Sequence, residues 1–185
     1  MKQLWKQLVQ PHVDYCSQLY MPVNGGKLSE LENLQRNFTS RIPSVKQLDY
    51  WTRLKELKLL SQQRRLERYR IIYVWKVIEG LTPNCGIMSS EHIRLGRLCE
   101  IPALKNKSSR KIQTLRENSF QVHGPKLFNS LPPQIRNLTK CSVLEFKTQL
   151  DQVLAEVPDQ PNVSGYQYTP AGCDMSENAS NSITR

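Results

Sequence analysis

The sequence predicts a mostly α-helical protein, with a small helical module first, an irregular middle segment and a disordered C-terminal tail. Three observations predict it. Apolar residues recur at three- and four-residue steps over several separate stretches, as a helix with one buried face requires. Start and stop signals for helices frame those stretches: Asp49, the Ser142–Glu145 pair, Gly80, Pro43 and Pro158. Periodicity is lost over residues 82–117 and again from residue 158 onward.

The elements follow in order. Leu4, Leu8, Val13, Tyr15 and Leu19 make an apolar stripe over residues 3–20, with Pro11 as a kink or a break. Asn24-Gly25-Gly26 is a loop. Leu28, Leu31, Leu34, Phe38 and Ile42 predict an amphipathic helix over 27–42, closed by Pro43. Asp49 N-caps a short helix at 50–58 that buries Leu54 and Leu57. The longest helix, 61–79, ends at Gly80, where a left-handed residue is wanted. Pro83, Gly86, Gly96 and Pro102 break up residues 82–117 into an irregular basic arm. A helix over 118–130 carries Phe120, Leu127 and Phe128. Ser142 and Glu145 form a capping box opening a last helix to about residue 157. Residues 158–185 lack periodicity and bulk and are expected to be disordered. The expected organisation is thus 1–81, 82–117, 118–157 and 158–185.

Charge points to a class of partner. The 185 residues hold 26 Lys and Arg against 16 Asp and Glu, a net +10. Residues 1–150 carry 25 basic and 11 acidic side chains, +14, and residues 151–185 carry one and five, −4. A basic body with a short acidic tail suits a polyanion, most commonly nucleic acid, and a plain solvated surface is the alternative. Hydrophobic content of 38% and a mean hydropathy of −0.54 imply a thin core, or one partly covered by a partner.

Several functions are argued against. The five cysteines are odd in number and contain no Cys-x-x-Cys pair, so they read as free thiols of an intracellular protein, nuclear or cytoplasmic. His92 between Cys85 and Cys99 gives three ligands at most, too few for a metal site. The longest apolar run, 71–75, falls far short of the roughly 20 residues a membrane span needs. Two-metal phosphoryl transfer requires clustered carboxylates. Asp14, Asp49, Asp151, Asp159 and Asp174 are scattered, and no phosphate loop or supported triad is written. No enzyme, no cofactor and no small-molecule substrate is therefore expected.

One basic–aromatic constellation stands out. Arg53, Lys55, Lys58, Arg64, Arg65, Arg68, Arg70 and Lys76 interleave with Tyr69, Tyr73 and Trp75. Arginines fork onto phosphates and aromatics stack on bases. The helical spacing of the aromatics favours a core role for them, and the arginines either contact phosphate or solvate the other face. Lys105, Lys107, Arg110 and Lys111 lie in a polar stretch that reads as a phosphate-contacting arm or a plain linker.

The order of motifs resembles the region after the palm in reverse transcriptases of jockey-like non-LTR retrotransposons. Residues 8–16, Leu-Val-Gln-Pro-His-Val-Asp-Tyr-Cys, are similar to the family's Leu-Val-Arg-Pro-His-Leu-Glu-Tyr-Cys segment leading into the thumb. Leu31-Glu32-Asn33-Leu34-Gln35-Arg36 resembles its Leu-Glu-x-Val-Gln-Arg helix. Residues 53–59 with Arg64-Arg65 match its Arg-Leu-x-x-Leu-x-Leu and paired-arginine element. Residues 73–80 resemble its Tyr-Lys-Ile-x-x-Gly helix end, Phe128-Asn129-Ser130-Leu131-Pro132 its aromatic-Asn-Ser-Leu-Pro motif, and Phe146-Lys147 its Phe-Lys pair. Phe128, where the family often has Trp, is a departure, as is the missing Trp near Tyr20.

The resemblance implies a thumb-like helical module of an RNA-directed DNA polymerase, which would grip a template–primer duplex through its backbone. The palm and its paired aspartates are expected before residue 1, so no catalytic residue carries over. The expected activity is sequence-independent RNA or DNA binding through Arg53, Lys55, Arg64, Arg65, Arg68, Lys105, Lys107, Arg110 and Lys111. The alternative is an inactive transposon relic, or a helical protein-interaction module without nucleic-acid binding. It would expose an apolar patch at Leu4, Trp5 and Leu8 where the missing palm would sit.

Overall fold

A computed structural model describes residues 2–17, 25–83, 97–102, 109–157 and 159. Among them the protein is mostly helical and has no strand. The expected disorder of the tail lies outside the described residues, of which Asp159 is the last.

The first helix is continuous but changes pitch. α1 (Lys2–Leu4) leads into a π-helical stretch (Trp5–Val9) and then α2 (Gln10–Asp14). The Gln10 amide reaches back five residues to the Trp5 carbonyl. Pro11 has no amide to donate, and its ring crowds the carbonyl four residues earlier, so the turn before it widens. The chain therefore runs through Pro11 instead of breaking there.

α3 (Gly25–Thr39) departs from the apolar stripe expected of it. Leu28 is buried, but the inward face continues with Glu32, Gln35 and Thr39, all fully buried, while Leu34 is 55% exposed. This face docks on the start of the longest helix, whose first amides have no intrahelical acceptor. Polar side chains are what that position requires.

α4 (Tyr50–Leu57) begins as expected, with the Asp49 carboxylate accepting from the Thr52 amide at 3.1 Å. α5 (Gln62–Ile78) is N-capped by Ser61, whose hydroxyl accepts from Arg64 N at 3.1 Å. Its end is a Schellman motif: Leu81 N bonds Lys76 O, Gly80 N bonds Val77 O, and Gly80 takes φ +72°.

The middle segment is less irregular than expected. Residues 97–102 form no helix, but α6 (Arg110–Glu117) does, and then α7 (Phe120–Asn129). Gly124 lets α7 approach α5 closely: a Cβ there would lie 3.1 Å from Val74 Cγ2. α8 (Pro133–Arg136) is one short turn, and α9 (Val143–Glu156) opens at Ser142, which accepts from Glu145 N at 3.1 Å.

Two main cores result. Trp5, Ile42, Val45, Tyr50, Leu54, Leu57 and Leu59 form one, around the π-helical stretch, the turns after α3, and α4. The other joins the second half of α5 to α7, α8 and α9, through residues such as Trp75, Leu127, Phe146 and Leu150. The second half of α5 thus packs against elements that lie beyond residue 81 in the chain.

Candidate nucleic-acid interface

The arginines of the paired-arginine element turn inward. Arg64 is 1% exposed and its Nη1 donates to Glu67 Oε2 at 2.9 Å. The Arg65 guanidinium forks onto Asp14, with Nε donating to Oδ1 at 2.6 Å. Tyr69 donates its hydroxyl to the same carboxylate at 3.0 Å, and Arg65 lies over the Tyr69 ring. Gln10 packs against that guanidinium too. Arg68 forks onto Asp151 of α9, 83 residues away. Arg53 is buried, 5.8 Å from the Tyr50 ring centroid. Arg70, fully buried, donates to Asn118 O at 3.1 Å, and burial lowers its pKa to about 10. Of the expected phosphate contacts, then, Arg53 and Arg64 are buried, and Arg64, Arg65 and Arg68 are engaged by carboxylates of this chain. A planar fork suits such partly dehydrated pairs better than an ammonium does.

The aromatics behave likewise. Trp75 is fully buried, stacked on Phe146 at 4.4 Å, and donates to Leu138 O. Tyr73 meets Phe120 edge-on at 5.1 Å. Asn129 closes a two-way bridge to Cys99, accepting from its amide at 2.8 Å and donating to its carbonyl at 2.9 Å.

Beneath α5 lies a buried polar knot. Glu32 accepts from Gln62 N at 2.9 Å and from the Tyr50 hydroxyl. Gln35 donates to Leu60 O at 3.0 Å. Asp159 accepts from Ser61 N at 2.8 Å and from its hydroxyl at 2.5 Å. Burial, reinforced by the Asp159 charge and opposed by those hydrogen bonds, lifts the Glu32 carboxyl to about 7. Two carboxyl groups and the Ser61 hydroxyl so accept from the amides of Ser61, Gln62 and Arg64 where α5 begins, a capping role.

Lysines are deployed differently. All five ion pairs among the described residues use arginine, and none uses a lysine. Lys55, Arg110 and Lys111 are exposed, as are Lys6 and Lys58, which were not among the expected contacts. Lys105 and Lys107 lie outside the described residues. Trp5 is 2% exposed, against Phe38, so the expected apolar patch shrinks to Leu4 and Leu8, 50% and 61% exposed. Among the described residues, no group of three His, Cys, Asp or Glu is placed to hold a metal ion, and no helix is long and apolar enough to cross a membrane. Compared with protein-family models, curated proteins and solved structures, the chain matches none.

Proposed function

We propose that this chain is the thumb and downstream region of a jockey-like non-LTR retrotransposon reverse transcriptase, without the palm's catalytic aspartates, and that it binds RNA or DNA without sequence preference. The reading extends to its compartment, nucleus or cytoplasm, where such a partner resides. The observation that carries the binding is the division of labour between the two basic residue types. Arginines make the internal ion pairs, and lysines leave their charge at the surface for phosphate. The motif residues also hold one another or the start of α5: Asp14 with Arg65, Trp75 with Phe146, Glu32 with the Gln62 amide and Gln35 with the Leu60 carbonyl. That supports treating the motifs as one folding unit. Filter binding of the full chain to a mixed-sequence oligonucleotide at low salt tests the proposal. Micromolar affinity that falls steeply with salt is expected. No retention at low salt would overturn it.

A second reading, a helical interaction module or inactive relic, has one observation in its favour. Leu4 and Leu8 are exposed at helical spacing, and so are Ile112 and Leu115 on α6. Concentration-dependent self-association without nucleic-acid binding would favour that reading.

A further inference from the structure

We infer that Lys2, Lys6 and Lys58, with Lys55 one helical turn from Lys58, form a single docking surface for a nucleic-acid backbone. The inference rests on the nucleic-acid reading above and adds where the polyanion sits.

The fold brings these residues together from the two ends of residues 2–58. Trp5, buried between Lys2 and Lys6 in the chain, packs in one apolar cluster with Leu54 and Leu57 of α4. The lysines flanking Trp5 are thereby held beside the end of α4. Lys2 and Lys6 are four residues apart, so they share a helix face. Their mutual proximity registers electrostatically: Lys2 has its pKa lowered, first by partial desolvation and then by the charges of Lys6 and Lys58. Lys6, Lys55 and Lys58 are exposed, and none of the four enters an ion pair among the described residues. Glu56, the one carboxylate on α4, is displaced about 100° around the helix from Lys55.

Like charges gathered without a counter-charge cost stability, and a polyanion removes that cost. A nucleic-acid strand presents phosphates at close, regular spacing and meets several ammonium groups at once. A lipid surface would need a larger outward apolar face than Leu4 and Leu8 provide, because Trp5, the bulkiest side chain of this helix, is turned inward.

Lys58 offers a clean variant. It closes α4 with φ +50°, a conformation glycine adopts without strain, so Lys58→Gly removes the charge without straining the fold. The test measures binding of the full chain to a mixed-sequence oligonucleotide across salt concentrations, for wild type and for Lys2→Gln/Lys6→Gln/Lys58→Gly. Thermal unfolding serves as the fold control, and Arg110→Gln/Lys111→Gln serves as a comparison variant. The expected result is a loss of at least about ten-fold in affinity at low salt for the triple variant. Its slope of log affinity against log salt should be shallower by about 2 to 3, at 0.7 to 0.9 per lost phosphate contact. Unchanged binding by a folded triple variant would overturn the assignment and leave the nucleic-acid reading standing. So would a larger loss in the α6 comparison variant than in the triple. No binding by wild type would overturn both, and wild-type capture by phosphatidylserine vesicles in its place would identify a lipid partner.

Discussion

Replacing Glu32 with glutamine should make the protein more stable at pH 8 and erase part of its pH dependence. Glu32 is fully buried and its carboxyl is raised from 4.5 to about 7. The folded state therefore holds a proton between those values that the unfolded chain has lost. The Glu32 contribution to stability is greatest below pH 4.5 and falls as pH rises to about 7, where the buried carboxylate becomes charged. A shift of that size corresponds to a loss on the order of 3 kcal/mol. Asp159, also raised by burial, adds a loss of the same sign. The neighbouring Arg36 opposes the Glu32 shift, and the Tyr50 and Gln62 hydrogen bonds oppose it more. Glutamine keeps the shape, still accepts from Gln62 N and donates to the Tyr50 oxygen, but cannot ionise. Urea unfolding followed by circular dichroism at pH 5, 6, 7 and 8 measures both proteins. The Glu32→Gln variant should gain about 1–3 kcal/mol on wild type between pH 5 and pH 8. A constant difference between the two proteins across that range would mean that Glu32 does not change its charge there.

Three other predictions follow from the packing. Gly124→Val places methyl groups where Val74 and Phe120 already stand, 3.1 Å from a Cβ, and should cost about 1–3 kcal/mol by urea unfolding. Asn129→Ala removes both bonds to the Cys99 backbone and should cost about 1–3 kcal/mol, chiefly by leaving a part-buried amide and carbonyl unsatisfied. Cys99 is 4% exposed and burial pushes its thiol up to about 12, so mass-spectrometric mapping after iodoacetamide treatment at pH 8 should find it unmodified until the protein is unfolded.

Legibility in the sequence followed the range of the interaction. Asp49, Ser142 and Gly80 were readable because a cap acts on amides or carbonyls within a few residues. Trp75 and Tyr73 were readable as core from their helical spacing. α6 was missed because Gly86, Gly96 and Pro102 argued for an irregular arm, although Ser109 and the Ile112–Leu115 step mark a short helix start and face. The polar face of α3 was not readable, since Glu32 is buried only because the start of α5 comes to rest on it. The same distance hid the fate of the arginines. Arg65 meets Asp14 across 51 positions, and Arg68 meets Asp151 across 83. Sequence shows a basic run, and only the fold shows which charges are spent internally. The Lys2–Lys6–Lys58 cluster was invisible for the converse reason, because nothing local joins residue 6 to residue 58.

We propose that the motif arginines hold the fold while the surface lysines hold the ligand. The Arg65→Gln variant separates the two roles when thermal unfolding and oligonucleotide binding across salt are both measured. A loss of about 1–3 kcal/mol in stability is expected, from breaking the pair with Asp14, with an unchanged salt slope for binding by the folded variant. An unchanged melting temperature, with a salt slope shallower by about 0.7–0.9, would instead make Arg65 a phosphate contact and overturn that division.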